Sequence, residues 1–262
     1  MKSTKPSVVF VPGAWHHPAI FSSVEALLHE AGYADTVGVR LPSCGADPPV
    51  SNREPDIIAI RSEIEGRITK GKDIVLVAHS YGGIPTSEAV EGLPPKAEGE
   101  NVEEQEQNSG GKVIGIVYIC ALVPDIGMPS STDAWKEQLQ PWARLDGGYI
   151  YPDADPSNPP AKLFYSDLQK DEAEAWAARL ELRQSGLSIS EPQRYVPWKG
   201  DFQCIYVICE GDCTLPKAVQ EEWVTRPEVK FRVERCSAGH SPMISQPKFV
   251  AEIIRKLAGE DF

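Results

Sequence analysis

The sequence predicts an α/β protein whose core is a mostly parallel sheet of about six strands, with helices on both faces. Two observations lead to this fold class. Short runs rich in valine and isoleucine, typical of buried parallel strands, alternate with stretches that carry apolar residues at helical spacing. In addition, the run 74–79 leads through Ser80 and two glycines into a helix-compatible stretch. A strand that turns so sharply into a helix needs small neighbours, and Ala78 and Gly82 meet that need.

The first part of the chain contains two further strands and two helices. Residues 7–12 are a continuous apolar run that predicts the first strand, and residues 36–41 predict the second. Between them, residues 19–31 carry apolar side chains on one helical face and are followed by a glycine, as helix ends often are. Residues 54–70 predict another amphipathic helix, with isoleucines at helical spacing.

The second part of the chain repeats the same alternation. Strands are predicted for residues 113–122, 203–209 and 229–235, and an amphipathic helix for residues 246–258. Successive strand and helix units of this kind pack as parallel strands joined by crossover helices. The carboxyl ends of these strands should therefore lie at one edge of the sheet, which is where ligands bind in such folds.

An insertion follows the strand that ends near residue 122. In residues 128–200 the alternation lapses, and prolines and four of the six tryptophans collect, while residues 171–185 still predict a helix. We interpret this segment as a helical cap over a pocket, inserted into a core formed by residues 1–127 and 201–262. Residues 93–112 within the core are rich in glutamate and predict a flexible, solvated loop.

Composition narrows the choice of partners and location. The chain has 262 residues and a formal charge of −12, which disfavours nucleic acid and anionic membrane surfaces as partners. No apolar run approaches transmembrane length, and the first residues lack a signal-peptide pattern, so a cytoplasmic location is expected. The six cysteines are scattered without a Cys-x-x-Cys pair, which indicates free thiols and gives no sign of a metal or cofactor site. The expected partner is a small-molecule substrate, and a homodimer is compatible with the sequence.

Three residues with catalytic chemistry each follow a predicted strand: Ser80, Asp212 and His240. A serine hydroxyl becomes a good nucleophile when a histidine takes its proton, and a carboxylate fixes the tautomer of that histidine. Small residues and a serine also occur at turns without catalysis. The acid and the histidine in the order Ser, Asp, His favour a catalytic triad with Ser80 at a nucleophile elbow. Asp125 also ends a strand and remains the alternative acid.

Aromatic residues are expected to line the substrate pocket. Trp15 and His16 follow the first strand, and the cap contributes Trp135, Trp142 and Trp176. The cap offers broad apolar area and no evident cluster of arginine or lysine facing a pocket. This pattern predicts uncharged aromatic or polyketide-like substrates in preference to short acetates and anionic esters.

Five stretches carry a resemblance to a known family, namely residues 8–14, 27–32, 77–83, 212–216 and 239–243. In them the chain resembles the α/β-hydrolases of the plant methylesterase and hydroxynitrile lyase-like family. The resemblance implies the α/β-hydrolase fold and places an oxyanion hole at the backbone N–H groups of Ala14 and Tyr81.

The chain departs from that family at several positions. Pro12 stands where the family usually has histidine, and Gly239 stands where it has aspartate before the catalytic histidine. Hydroxynitrile lyases of this type have threonine in place of Gly13 and lysine in place of Ser241. The last two differences disfavour cyanohydrin cleavage.

Three functions are compatible with these observations. The leading one is a serine hydrolase that cleaves a small, uncharged, fairly apolar ester, lactone or thioester through an acyl-enzyme. The second is a lyase or cyclase that uses the triad for proton transfer. The third is a ligand-binding protein or receptor with negligible turnover, which would not need a nucleophile and its base together.

Overall fold

The computed structural model describes residues 5–95, 110–128 and 142–261, and within them the strands form two sheets. The larger sheet has six strands in the order β2-β1-β3-β4-β8-β9, and every neighbouring pair in it is parallel. The smaller sheet has the order β5-β6-β7 and is antiparallel. The strands are β1 (Ser7–Val11), β2 (Thr36–Gly38), β3 (Ile74–His79), β4 (Val113–Ile119), β5 (Arg144–Asp146), β6 (Tyr149–Tyr151), β7 (Gln184–Ser185), β8 (Gln203–Cys209) and β9 (Phe231–Cys236).

Helices cover both faces of the larger sheet. Alternate residues of β1 enter different apolar clusters, because successive side chains of a strand point to opposite faces. Val9 packs in the cluster that includes Ile60 of the second helix, and Val8 packs in the cluster that includes Val24 and Val250. The helices are α1 (Ser22–Glu30), α2 (Glu54–Ile68), α3 (Gly83–Ala89), α4 (Pro160–Phe164), α5 (Lys170–Ala177), α6 (Gly186–Ser190), α7 (Lys217–Thr225), α8 (Pro242–Ser245) and α9 (Pro247–Leu257). The predicted fold class is confirmed.

The insertion differs from its predicted helical character. Its described part contains the small antiparallel sheet in addition to α4, α5 and α6. The predicted helix 171–185 is wrong beyond Ala177, where α5 ends. Residues 178–180 still bond back to the last turn of α5, and the chain then bonds to the core: Glu181 N–H donates to Trp15 C=O, and Gly45 N–H donates to the carbonyl of Arg183. Tertiary hydrogen bonds have overridden the helical pattern of the sequence.

Some predictions fall on residues that the structure does not describe. Trp135 lies outside the described residues, as do residues 96–109 of the predicted acidic loop. The division of the chain into core and cap stays a prediction. Within the described residues, no helix combines the length and the apolar character needed to cross a bilayer.

Candidate active site

Ser80 lies at the carboxyl end of β3, in a tight turn that leads into α3. Its φ angle is 50°, in the left-handed region that non-glycine residues rarely adopt. Two glycines make room for this turn. A Cβ atom added at Gly82 would lie 2.5 Å from the carbonyl oxygen of Pro12, and one at Gly13 would lie 2.8 Å from Ser80 Cβ. The loop after β1 therefore packs directly against the serine.

Asp212 and His240 meet at the same edge of the sheet, in the loops after β8 and β9. His240 Nδ1 donates a hydrogen bond of 2.8 Å to Asp212 Oδ2, and both side chains are buried. The other carboxylate oxygen, Oδ1, accepts the backbone N–H groups of Thr214 at 2.7 Å and Leu215 at 2.9 Å. These bonds fix the carboxylate so that Oδ2 faces the imidazole.

The backbone of His240 is held by two neighbouring side chains. His79 Nε2 donates to the carbonyl oxygen of His240 at 2.8 Å, and Cys120 Sγ donates to the same oxygen at 3.3 Å. Cys120 Sγ also lies 3.7 Å from His240 Nδ1. His79, Cys120 and His240 each have one atom that could ligate a metal, and these atoms lie within 4.8 Å of one another. Because His79 Nε2 and Cys120 Sγ both donate to the carbonyl oxygen of His240, whose Nδ1 is bound to Asp212, we interpret the group as packing that orients His240.

The alternative acid, Asp125, has different partners. Its carboxylate oxygens lie 3.4 Å from Lys199 Nζ and 3.7 Å from Arg226 Nη1. The structure therefore brings Asp212, and not Asp125, into contact with His240.

A cavity of about 280 Å³ is lined by residues after β1, β2 and α5, and Ser80, Asp212 and His240 are not part of its lining. Its apolar lining includes Tyr165, Trp176 and Leu180. Arg40 and Arg179 also line it, so the expectation that no arginine cluster faces the pocket is wrong for this cavity. Two loops far apart in the sequence bring these arginines together, which the sequence pattern could not indicate. The remaining lining residues are His16, His17, Ala19, Ile20, Cys44 and Glu181.

A series of neighbouring rings connects the cavity to His240. His16 lines the cavity, and its ring centroid lies 5.2 Å from that of Phe164. Phe164 in turn lies 5.8 Å from the ring of His240. Phe164, the last residue of α4, is not among the pocket residues that the sequence predicts. The available signal was a short apolar run after paired prolines, which alone indicates nothing more than packing.

The predicted pocket tryptophans have different positions. Trp176 lines the cavity. Trp15 and Trp142 are buried against each other, with ring centroids 5.9 Å apart, and Trp15 Nε1 donates to the carbonyl of Ile150 at 2.9 Å. These two residues join the insertion to the loop after β1.

His16 is buried as a neutral side chain. Burial lowers the pKa of His16 to about 3, with a smaller contribution from the charge of His240. Its Nδ1 donates to the carbonyl oxygen of Ala14 at 2.7 Å, a bond that raises the pKa but does not offset burial. His16 can therefore act near pH 7 as a hydrogen-bonding group but not as a cation.

This burial predicts a loss of stability in acid. Because the pKa of His16 is lower in the folded state than the unfolded value of 6.5, the unfolded state takes up a proton first as the pH falls. The free energy of unfolding should drop below pH 6.5 by up to about 1.4 kcal/mol per pH unit for this group. Denaturant unfolding is measured at pH values about one unit apart between 7 and 4. The free energy of unfolding should decline less steeply with falling pH for His16→Gln than for the wild type. An equal slope in both proteins would contradict the assignment.

Comparisons with known proteins show the family to which this fold belongs. A profile described as "Alpha/beta hydrolase family" matches residues 8–253. The protein "Alpha/beta hydrolase nvfD" of Aspergillus novofumigatus is 32% identical over 263 residues, covering 98% of both chains. "Methylesterase 7" of Arabidopsis thaliana is 25% identical over 283 residues, also covering 98% of both chains. The crystal structure of a pyrethroid hydrolase from Sphingobium faniae matches with a TM-score of 0.69 at 19% identity, covering 97% of both chains. Since the family profile spans most of the sequence and a relative aligns over nearly its whole length, the chain belongs to the alpha/beta hydrolase family.

Proposed function

We propose that this alpha/beta hydrolase is a serine esterase that cleaves a small, uncharged, fairly apolar ester, lactone or thioester through an acyl-enzyme. The observation that carries the proposal is the buried His240–Asp212 hydrogen bond of 2.8 Å at the sheet edge where Ser80 occupies a left-handed turn. The names of the relatives, a hydrolase and a methylesterase, support the same reaction class.

The proposed mechanism assigns one role to each of the three residues. Ser80 Oγ attacks the carbonyl carbon of the substrate while His240 Nε2 takes its proton. The bond from His240 Nδ1 to Asp212 fixes the tautomer that leaves Nε2 free to accept, and it stabilises the imidazolium that forms. His240 then gives the proton to the leaving alkoxide or thiolate, and the acyl group stays on Ser80. Water, activated by His240, attacks the acyl-enzyme and releases the acid.

The backbone N–H groups of Ala14 and Tyr81 are the proposed oxyanion hole. Tyr81 directly follows the nucleophile, and the close contact between Gly13 and Ser80 brings the loop that contains Ala14 alongside it. Fixed amides aimed at the developing negative charge stabilise the tetrahedral intermediate more than the substrate.

The cavity supports a substrate with a bulky ring or chain. Trp176, Tyr165 and Leu180 supply apolar and aromatic walls. The guanidinium of Arg179 lies over the ring of Trp176, 4.5 Å from its centroid. Arg40, Arg179 and Glu181 place charges of both signs in the lining, so these charges do not by themselves select an anionic substrate. Aromatic walls favour ring-bearing groups that exclude water.

Replacing Trp176 with alanine should reduce selectivity for bulky substrates. We expect the ratio of kcat/KM for a naphthoate or benzoate p-nitrophenyl ester to that for the acetate to fall by about tenfold, because one aromatic wall of the cavity is lost. Trp142→Ala is the control, since Trp142 packs against Trp15 and should lower the melting temperature with little change in that ratio. If Trp176→Ala leaves the ratio unchanged, the cavity is not the substrate pocket.

A burst experiment tests the proposed reaction class. Mixing the protein with excess neutral p-nitrophenyl ester should release p-nitrophenol equivalent to about one site per chain before the steady state, because acylation precedes slower deacylation. A lyase or cyclase that uses the triad for proton transfer would turn over its own substrate without such a burst. A binding protein would give neither a burst nor turnover.

A further inference from the structure

We propose that Asp56 is a positioning residue for the oxyanion hole: it fixes Tyr81, and the antiparallel insertion in turn fixes Asp56. This inference rests on the proposed esterase function, since the backbone N–H of Tyr81 is one of the two proposed oxyanion donors.

A buried hydrogen bond joins Tyr81, in the turn after β3, to Asp56 in α2. Tyr81 is 1% exposed, and its hydroxyl donates to Asp56 Oδ2 at 2.5 Å. The bond fixes the ring of Tyr81, which immediately follows Ser80. The φ of 50° at Ser80 marks a strained backbone. Strain of this kind persists only where the surrounding structure constrains it. Asp56 supplies one such constraint at the position of the oxyanion amide.

Asp56 accepts further hydrogen bonds that hold it in place. Its side chain is fully buried in α2, and Ser43 donates to it twice, from the backbone N–H at 2.8 Å and from Oγ at 2.5 Å. Burial raises the pKa of Asp56, and the bonds from Ser43 and Tyr81 oppose that shift. The triad mechanism makes no use of this carboxyl group, so its three donors point to a different role.

The insertion completes the connection. Gln184 in β7 donates from Nε2 to Ser43 Oγ at 2.8 Å, and Ser185 N–H donates to the carbonyl of Ser43 at 3.0 Å. A continuous series of buried hydrogen bonds therefore runs from β7 through Ser43 and Asp56 to Tyr81.

The other proposed oxyanion residue is connected to the same insertion. Trp15, which follows Ala14, accepts a hydrogen bond from Glu181 N–H at 2.9 Å and donates from Nε1 to Ile150 O at 2.9 Å. Trp15 also has a left-handed φ of 65°. Both sides of the proposed oxyanion hole are thus held by residues 149–151 and 181–185. Loosening either connection should weaken binding of the transition state more than binding of the substrate.

Tyr81→Phe tests the inference because it removes one hydroxyl and keeps the ring. We expect kcat for a neutral p-nitrophenyl ester to fall by about 10- to 100-fold, with KM changed by less than about twofold. The affinity for a trifluoromethyl ketone, whose adduct with Ser80 carries an oxyanion, should fall in parallel with kcat. Asp56→Asn keeps the side-chain size and should shift the same two quantities, which preserves the test if Tyr81→Phe folds poorly.

Tyr118→Phe is the matched control. Tyr118 is also a buried tyrosine, and its hydroxyl hydrogen-bonds to Ser87 Oγ in α3 at 2.9 Å instead of to Asp56. It should lower the melting temperature to a similar extent and leave kcat and ketone affinity unchanged. If Tyr81→Phe behaves like Tyr118→Phe in all three measurements, the Asp56 connection is structural only and the inference is wrong. If the wild-type protein itself neither hydrolyses esters nor binds the ketone, the esterase proposal fails first, and this inference fails with it.

Discussion

Replacing Ser80 with alanine is expected to lower kcat for ester hydrolysis by at least about 10⁴-fold while the protein stays folded. Without Oγ no acyl-enzyme can form, and His240 has no proton to take. His240→Ala should cause a loss of similar size, since the nucleophile is then not activated. Because triad members act as a unit, the double variant should be no less active than either single one.

The measurement is steady-state hydrolysis together with a melting curve for each variant. Ser87→Ala is the matched control because it also removes a serine hydroxyl. Ser87 lies in α3, and its Oγ donates to the carbonyl of Gly83 at 2.7 Å. That control should lose some stability and little activity. A well-folded Ser80→Ala protein with turnover within about tenfold of the wild type would contradict the acyl-enzyme mechanism and favour proton transfer by a lyase or cyclase.

Asp212→Asn is expected to lower kcat by about 10³- to 10⁴-fold. The structure gives a specific reason. Thr214 and Leu215 donate backbone N–H groups to Oδ1 of Asp212, so the oxygen of an asparagine would be held there and its NH₂ group would face His240. An amide donor at that position forces the proton of the imidazole onto Nε2, which then cannot accept the proton of Ser80.

Asp125→Asn supplies the comparison for this prediction. Asp125 is partly exposed and paired with Lys199 and Arg226, so neutralising it should change kcat by less than about twofold. The two variants are compared by kcat and by melting temperature. A larger loss of kcat in Asp125→Asn than in Asp212→Asn would show that the catalytic acid lies in the loop after β4.

The parts of the fold that follow from local physics could be predicted from the sequence. The runs in β3, β4 and β8 are apolar and rich in β-branched residues because both faces of the sheet are covered, so their positions were evident. Strand ends were less certain: the run 36–41 predicted a longer strand than β2, which ends at Gly38. Ser80 and Asp212 could be singled out because each follows such a run, and His240 because it follows the predicted strand 229–235.

Features that depend on distant contacts could not be predicted. The strands of the small sheet are two or three residues long, too short for an alternating pattern. The end of α5 at Ala177 depends on bonds to residues near 15 and 45, which nothing within the helix indicates. Arg40 and Arg179 reach one cavity from opposite halves of the chain, and the Tyr81–Asp56 bond joins two helical segments. Each of these features depends on contacts between residues that only the folded chain brings close together.

Intact mass after treatment with a fluorophosphonate tests the central claim most directly. Such reagents form a stable adduct with an activated serine and not with an ordinary hydroxyl. We expect one adduct per wild-type chain, mapped by peptide mass to Ser80, none on Ser80→Ala, and much slower labelling of His240→Ala. A folded wild-type protein that stays unmodified, or equal labelling of wild type and Ser80→Ala, would contradict an activated nucleophile at Ser80.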